Sequence, residues 1–158
     1  MPFAESFRDL IVYQKARILS QEIFTLSSTF PRAETFSLTD QVRRSSRSIG
    51  AQIAEAWAKR RYEKNFVSKL TDANGEQLET QHWIEVAMDC GYISREQSQM
   101  LIDKCTEVGR LLASMINKSS LFCQTRSNLI REIEAEYFVD AIDGSDDMNL
   151  HSIYQDQI

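Results

Sequence analysis

Apolar residues recur along this chain at alternating intervals of three and four. Val12, Ala16, Leu19, Ile23 and Leu26 form one such series, widened by Tyr13 and Phe24, and it stops near Phe30-Pro31. Val42, Ser46, Ile49, Ile53 and Ala56 form a second, with a start at Ser37 or Thr39. The third runs Phe66, Leu70, Ala73, Gln77, Ile84, Met88 and closes at Cys90-Gly91, where a glycine takes the left-handed position beyond a helix end. The fourth opens with Ser94-Arg95-Glu96-Gln97, a capping-box spacing, and continues Leu101, Cys105, Val108, Leu112, Met115. This is the period of amphipathic helices with one buried stripe. The stretch "DANGEQLET" looks turn-like at Asn74-Gly75, but the spacing continues through it and predicts an unbroken helix.

One-sided helices of about 20 to 26 residues bury their stripes only against each other. Short connections and a near-3.5 spacing predict an all-α fold, an antiparallel up-down-up-down four-helix bundle. We assign residues 1–122 to the bundle and 123–158 to an acidic C-terminal extension, partly helical through a fifth pattern at Leu129, Ile133, Glu136/Tyr137 and Asp140.

Composition agrees: five Gly and two Pro in 158 residues leave room for few turns, and 42% apolar with 26% charged residues suits a globular domain. With no run of 18 apolar residues and no signal-like start, the expectation is a cytoplasmic protein that does not engage a membrane. Cys90, Cys105 and Cys123 have no motif spacing and read as small buried thiols in a reducing compartment. The net charge of -5 is unevenly placed. Residues 1–123 carry sixteen Lys/Arg against fifteen Asp/Glu, whereas the extension carries Arg126 and Arg131 against eight acids. Such a tail is either a solubilising extension or a screen for a basic surface.

The stretch "QVRRSSRSIGAQIAEAWAKRR", Gln41 to Arg61, carries five arginines. On a helical wheel Arg43, Arg47, Gly50, Ala54 and Arg61 share one shoulder at about 80° to 140° from the core stripe, so Arg43 and Arg61 lie about 27 Å apart along one face. Two readings follow. The shoulder, with Lys59, Arg60, Arg61 and Lys64 beyond it, tracks nucleic-acid phosphates, with Trp57 and Tyr62 available to stack on bases. Alternatively Gly50, Ala54, Trp57 and Gly75 mark packing or oligomer contacts, because glycine within a helix costs about 1 kcal/mol and is explained where another backbone comes close, and the terminal cations answer a helix dipole.

Catalytic patterns are weak. Glu79-x-x-His82 has di-iron spacing, but the other histidine, His151, lies in the tail, and the wheel places Glu79 and His82 away from the core. With no phosphate loop, nucleophile elbow or Cys/His pair, we expect neither an enzyme, a metal site nor a cofactor.

The segments "FRDLIVYQKARIL", "FPRAETFSLTDQVRRSSRSIGAQIAEAW" and "GYI" resemble the 23S rRNA intervening sequence proteins of bacteria. The resemblance covers Phe7 to Phe122, and its signature falls on Gln41, Arg43, Arg44, Ser48, Ile49, Ile53, Ala54 and Glu55. It implies an antiparallel four-helix bundle, often a pentamer, with no established enzymatic activity. It is also similar to the accessory variability determinant of diversity-generating retroelements, which implies two kinds of partner: RNA or DNA on a basic surface, or a protein such as a reverse transcriptase. Departures are Gln52 and Ala56 in place of Asn and Gly, and Asn74-Gly75-Glu76 where the family tends to carry Arg-Gly-Ser.

Overall fold

The stripe beginning at Val12 folds as helix α1, Ile11–Ser27, in a computed structural model that describes residues 4–123. Helix α2 spans Leu38–Ala58, α3 Glu63–Asp89 and α4 Arg95–Asn117. Short 3-10 turns at Phe7–Asp9, Arg32–Glu34 and Ser119–Leu121 complete the described chain. Each helix packs on its sequence neighbour and α1 also packs on α4, which makes the expected antiparallel four-helix bundle. Among the described residues there is no strand, and no helix is long and apolar enough to cross a membrane. The fifth helical pattern, Leu129 to Asp140, lies outside the described residues.

The four stripes meet as one core, with Leu19, Ile49, Ile53, Phe66, Leu70 and Leu112 almost wholly shielded from solvent. Leu26 and Met88, at the ends of their series, are only half-buried, and Ser27 and Ala87 take the inner places. A straight helix drifts about 20° per heptad from a 3.5 repeat, so an extrapolated stripe walks off the core at its end. Polar groups inside the bundle are paired. The Thr80 hydroxyl lies 2.9 Å from that of Ser45 on α2 and 2.8 Å from the Glu76 carbonyl. Buried Gln77 donates to Asn74 Oδ1 at 3.1 Å and accepts from Gln81 Nε2 at 2.8 Å.

The helices end as local chemistry requires. Gly91 has φ +74°, its N–H donates to the Met88 carbonyl at 2.9 Å and the Tyr92 N–H to the Ala87 carbonyl at 2.9 Å, a Schellman closure of α3. At the start of α4 the Ser94 N–H donates to Gln97 Oε1 at 2.9 Å and the Gln97 N–H to Ser94 Oγ at 3.1 Å, the expected capping box. The start of α2 is different. Ser37 occupies the N-cap, but its side chain makes no cap bond. The Glu34 carboxylate does that work, accepting from the Ser37 hydroxyl, from the Leu38 N–H at 3.2 Å and from the Tyr92 hydroxyl at 3.0 Å.

These three donors, Ser37 foremost, hold the Glu34 carboxyl below its usual range. A carboxylate whose pKa is lowered by folding stabilises the native state above its unfolded pKa, and that contribution disappears as pH falls through the folded value. Thermal melts from about pH 7 down to about pH 3 are therefore expected to show wild type above Glu34→Gln at neutral pH, with the two converging in acid. A gap independent of pH would remove Glu34 as the ionised cap.

Neither Gly50 nor Gly75 is packed against another helix backbone among the described residues. At Gly50 a Cβ would meet, among the described residues, only the Tyr13 ring, at 3.6 Å, an ordinary contact. A Cβ at Gly75 would have nothing within 4 Å among the described residues. The tight position is Gly109 on α4, where a Cβ would sit 2.9 Å from Gln77 Nε2. Buried Gln77 occupies that space, so a side chain at position 109 would displace its amide.

Candidate nucleic-acid interface

The six candidate cations divide into engaged and free. Arg43 is half-buried and reaches across to α1: its Nε donates to Ser27 Oγ at 2.7 Å, its terminal nitrogen lies 3.3 Å from Ser28 Oγ and 3.4 Å from the Phe24 carbonyl, and its guanidinium sits 4.6 Å from the Phe24 ring centroid. Arg60 folds back on its own helix end, donating to the Trp57 carbonyl at 2.9 Å and covering the Trp57 ring at 3.4 Å, and burial lowers its pKa. Arg47 is exposed, with its guanidinium 5.5 Å from the Phe24 centroid. Lys59, Arg61 and Lys64 are exposed and make no ion pair among the described residues.

Helix α2 ends at Ala58, so Arg61 does not continue the Arg43 shoulder, and the straight 27 Å cationic face expected from the wheel is replaced by a corner. Lys59 caps the C-terminus of α2, where a cation meets the negative end of the helix dipole. The turn is closed by the Tyr62 N–H donating to the Lys59 carbonyl at 3.0 Å. Tyr62 is 60% exposed, whereas Trp57 is half-buried under Arg60.

The antiparallel topology gives this corner its surroundings. The start of α1, end of α2, start of α3 and end of α4 meet at one end of the bundle, bringing Arg8, Lys59, Arg60, Arg61, Lys64 and Lys118 together there. Two of the acids at that end are engaged, since Asp9 accepts the Glu5 and Ser6 N–H groups at 3.0 and 2.8 Å and Glu63 accepts from the Ser119 hydroxyl, while the Glu5 side chain is exposed. The opposite end carries Glu34, Asp40, Glu85, Asp89 and Glu96, with Arg32, Arg95 and Arg44, the last pairing with Asp40 at 3.7 Å. The bundle is thus charged oppositely along its axis, a feature that no single segment of sequence carries.

Other sequence-derived candidates find ordinary surroundings. Glu55 pairs with Lys69 on α3 at 2.7 Å, which lowers its pKa and raises that of Lys69; the Lys69 ammonium also reaches Gln52 at 3.2 Å. Glu79 accepts from Trp83 Nε1 at 3.0 Å, and the His82 ring packs edge-on against Trp83. Of the cysteines, Cys105 is buried, with its pKa pushed up to about 12 by desolvation, and Cys123 is buried with its pKa raised, but Cys90 is exposed. Its position in the C-cap of α3, one residue beyond the last helical turn, takes it off the core stripe.

Taken together, these features define a four-helix bundle protein with one cationic end. Residues 8–114 match the 23S rRNA-intervening sequence proteins, and the chain belongs to that family. Among solved structures it is similar to a protein of unknown function from the S23 ribosomal protein family of Bacteroides thetaiotaomicron VPI-5482, with 32% identity and a TM-score of 0.62 over 68% of this chain and 96% of that one. No curated protein matches the chain. Membership establishes the fold and leaves the activity open, because the solved relative is itself of unknown function.

Proposed function

We propose that the protein is a non-catalytic binding module, acting as a homo-oligomer, a pentamer by resemblance, that takes RNA or other nucleic acid at the cationic end of each bundle. The observation that carries this reading is the exposed set Lys59, Arg61 and Lys64, without an ion pair among the described residues, on an end where cations outnumber acids. Arg47 extends the surface along α2. Arg43 and Arg60 contribute by holding the scaffold rather than by reaching phosphate.

Binding of a labelled RNA by the full chain is expected to weaken as salt rises, because each phosphate contact releases condensed counterions and that release is less favourable in high salt. Replacing Lys59, Arg61 and Lys64 by Ala is expected to lower the slope of log affinity against log salt by about 2 to 3, at roughly 0.7 to 0.9 per phosphate contact. A salt-independent interaction, or a slope unchanged in the triple variant, would refute the assignment.

A second reading has its own support. Ala16, Gly50, Ala51 and Ala54, with the Phe7 and Tyr13 rings and Ser20, line a groove of about 210 Å³ between α1 and α2 that also includes Arg17 and Arg47. Small residues beside basic ones suit a scaffold that docks a protein partner such as a reverse transcriptase. Native mass spectrometry of the protein at low salt separates the two readings, since nuclease-sensitive mass supports the first and co-purifying protein the second.

A further inference from the structure

We propose that Tyr62 is a stacking platform for an unpaired base, so that the preferred ligand of the α2–α3 corner is single-stranded nucleic acid. This rests on the reading of that corner as a nucleic-acid site and adds the class of ligand and the residue that selects it.

The Tyr62 backbone is pinned although its residue is 60% exposed. Its N–H donates to the Lys59 carbonyl, and its own carbonyl accepts the N–H groups of Asn65 and Phe66, all at 3.0 Å. An aromatic residue on a fixed backbone loses little freedom when it binds, with only its own two side-chain torsions to order. Arg61 precedes it and Glu63 follows it, with the Glu63 carboxylate turned to the Ser119 hydroxyl; Lys59 lies three residues before and Lys64 two after, so phosphates and a base face are offered partners within six residues.

Exposure alone does not make the case. Phe36 is 94% exposed, but it lies at the opposite end between Glu34 and Asp40, away from Lys59, Arg61 and Lys64. Trp57 lies near the cationic end, but Arg60 already covers its ring. Tyr62 is the aromatic residue that combines exposure, a fixed backbone and free cations among the described residues. In a duplex the base faces are consumed by stacking on each other, so only the cations would engage it; a single strand offers its bases to an aromatic ring as well.

The test compares a labelled single-stranded RNA of about 20 nucleotides, longer than a typical single-strand site, with a duplex of the same length, titrated against the full chain. Single strand is expected to bind more tightly than duplex. Tyr62→Ala is expected to weaken the single strand about 5- to 150-fold, the range spanned by one base–aromatic stack, and to leave the duplex unchanged. Tyr62→Phe should retain single-strand affinity, and an unchanged melting temperature for Tyr62→Ala shows that the fold is intact. If Tyr62→Ala binds both ligands as wild type does, or the duplex binds as tightly as the single strand, the inference fails while the cationic corner stands. If replacing Lys59, Arg61 and Lys64 by Ala also changes neither ligand, both readings fail.

Discussion

Phe66→Ala is expected to destabilise the bundle by about 3 to 5 kcal/mol, the largest effect of any single change argued for this protein. Phe66 is wholly buried in the first turns of α3 and is the largest of the fully buried side chains. Its ring also stacks on Phe122, with centroids 5.9 Å apart and planes at 25°. Truncation therefore removes the transfer energy of a full aromatic ring, leaves a cavity enclosed by helix backbones, and strips Phe122 of its partner. Phe122→Ala should cost distinctly less, because Phe122 is only half-buried. Urea unfolding gives the measurement: the midpoint should fall steeply with the denaturant slope unchanged. Equal costs for the two substitutions would mean that the pair, and not burial of Phe66, controls this end of the core.

Arg43→Ala is expected to cost about 2 to 4 kcal/mol, from charged hydrogen bonds to α1 and the lost packing on Phe24. Ser27, which Arg43 Nε satisfies, is buried, so removal also leaves that hydroxyl with less than its full set of partners. Arg43→Lys should recover only part of the loss, since an ammonium cannot offer a planar fork to two serines and a carbonyl while lying over a ring. The informative readout is a pair of measurements on the same variant. Stability should fall while the RNA affinity of the folded fraction stays at the wild-type value. Reduced affinity at unchanged stability would return Arg43 to the binding surface.

The resemblance places Arg43, Ile49, Ile53 and Glu55 in one signature, and the structure gives each a physical task. Ile49 and Ile53 are core, Arg43 ties α2 to α1, and Glu55 ties α2 to α3 through Lys69. A signature that joins α2 to both of its neighbours describes how to build this bundle. It does not by itself describe what the bundle binds, and the proposed site draws on the exposed cations at the corner more than on the arginines inside the signature.

The sequence by itself determined the elements. Four helical stripes, the Gly91 stop and the Ser94-Gln97 cap are decided within one or two turns of chain, by side-chain period and by which nearby group satisfies a backbone N–H or carbonyl. α3 runs unbroken through Gly75 because its apolar spacing persists across "DANGEQLET". Only the tertiary structure decided which polar groups remain free. Arg43 is consumed by serines sixteen and fifteen residues earlier, Tyr92 reaches Glu34 across fifty-eight residues, and Gly109 is tight because Gln77 faces it. A charge is available to a ligand only when no other part of the chain has already neutralised or bonded it. That depends on which distant segments meet, and here the antiparallel packing of four helices brought to one end the cations that have no ion pair among the described residues.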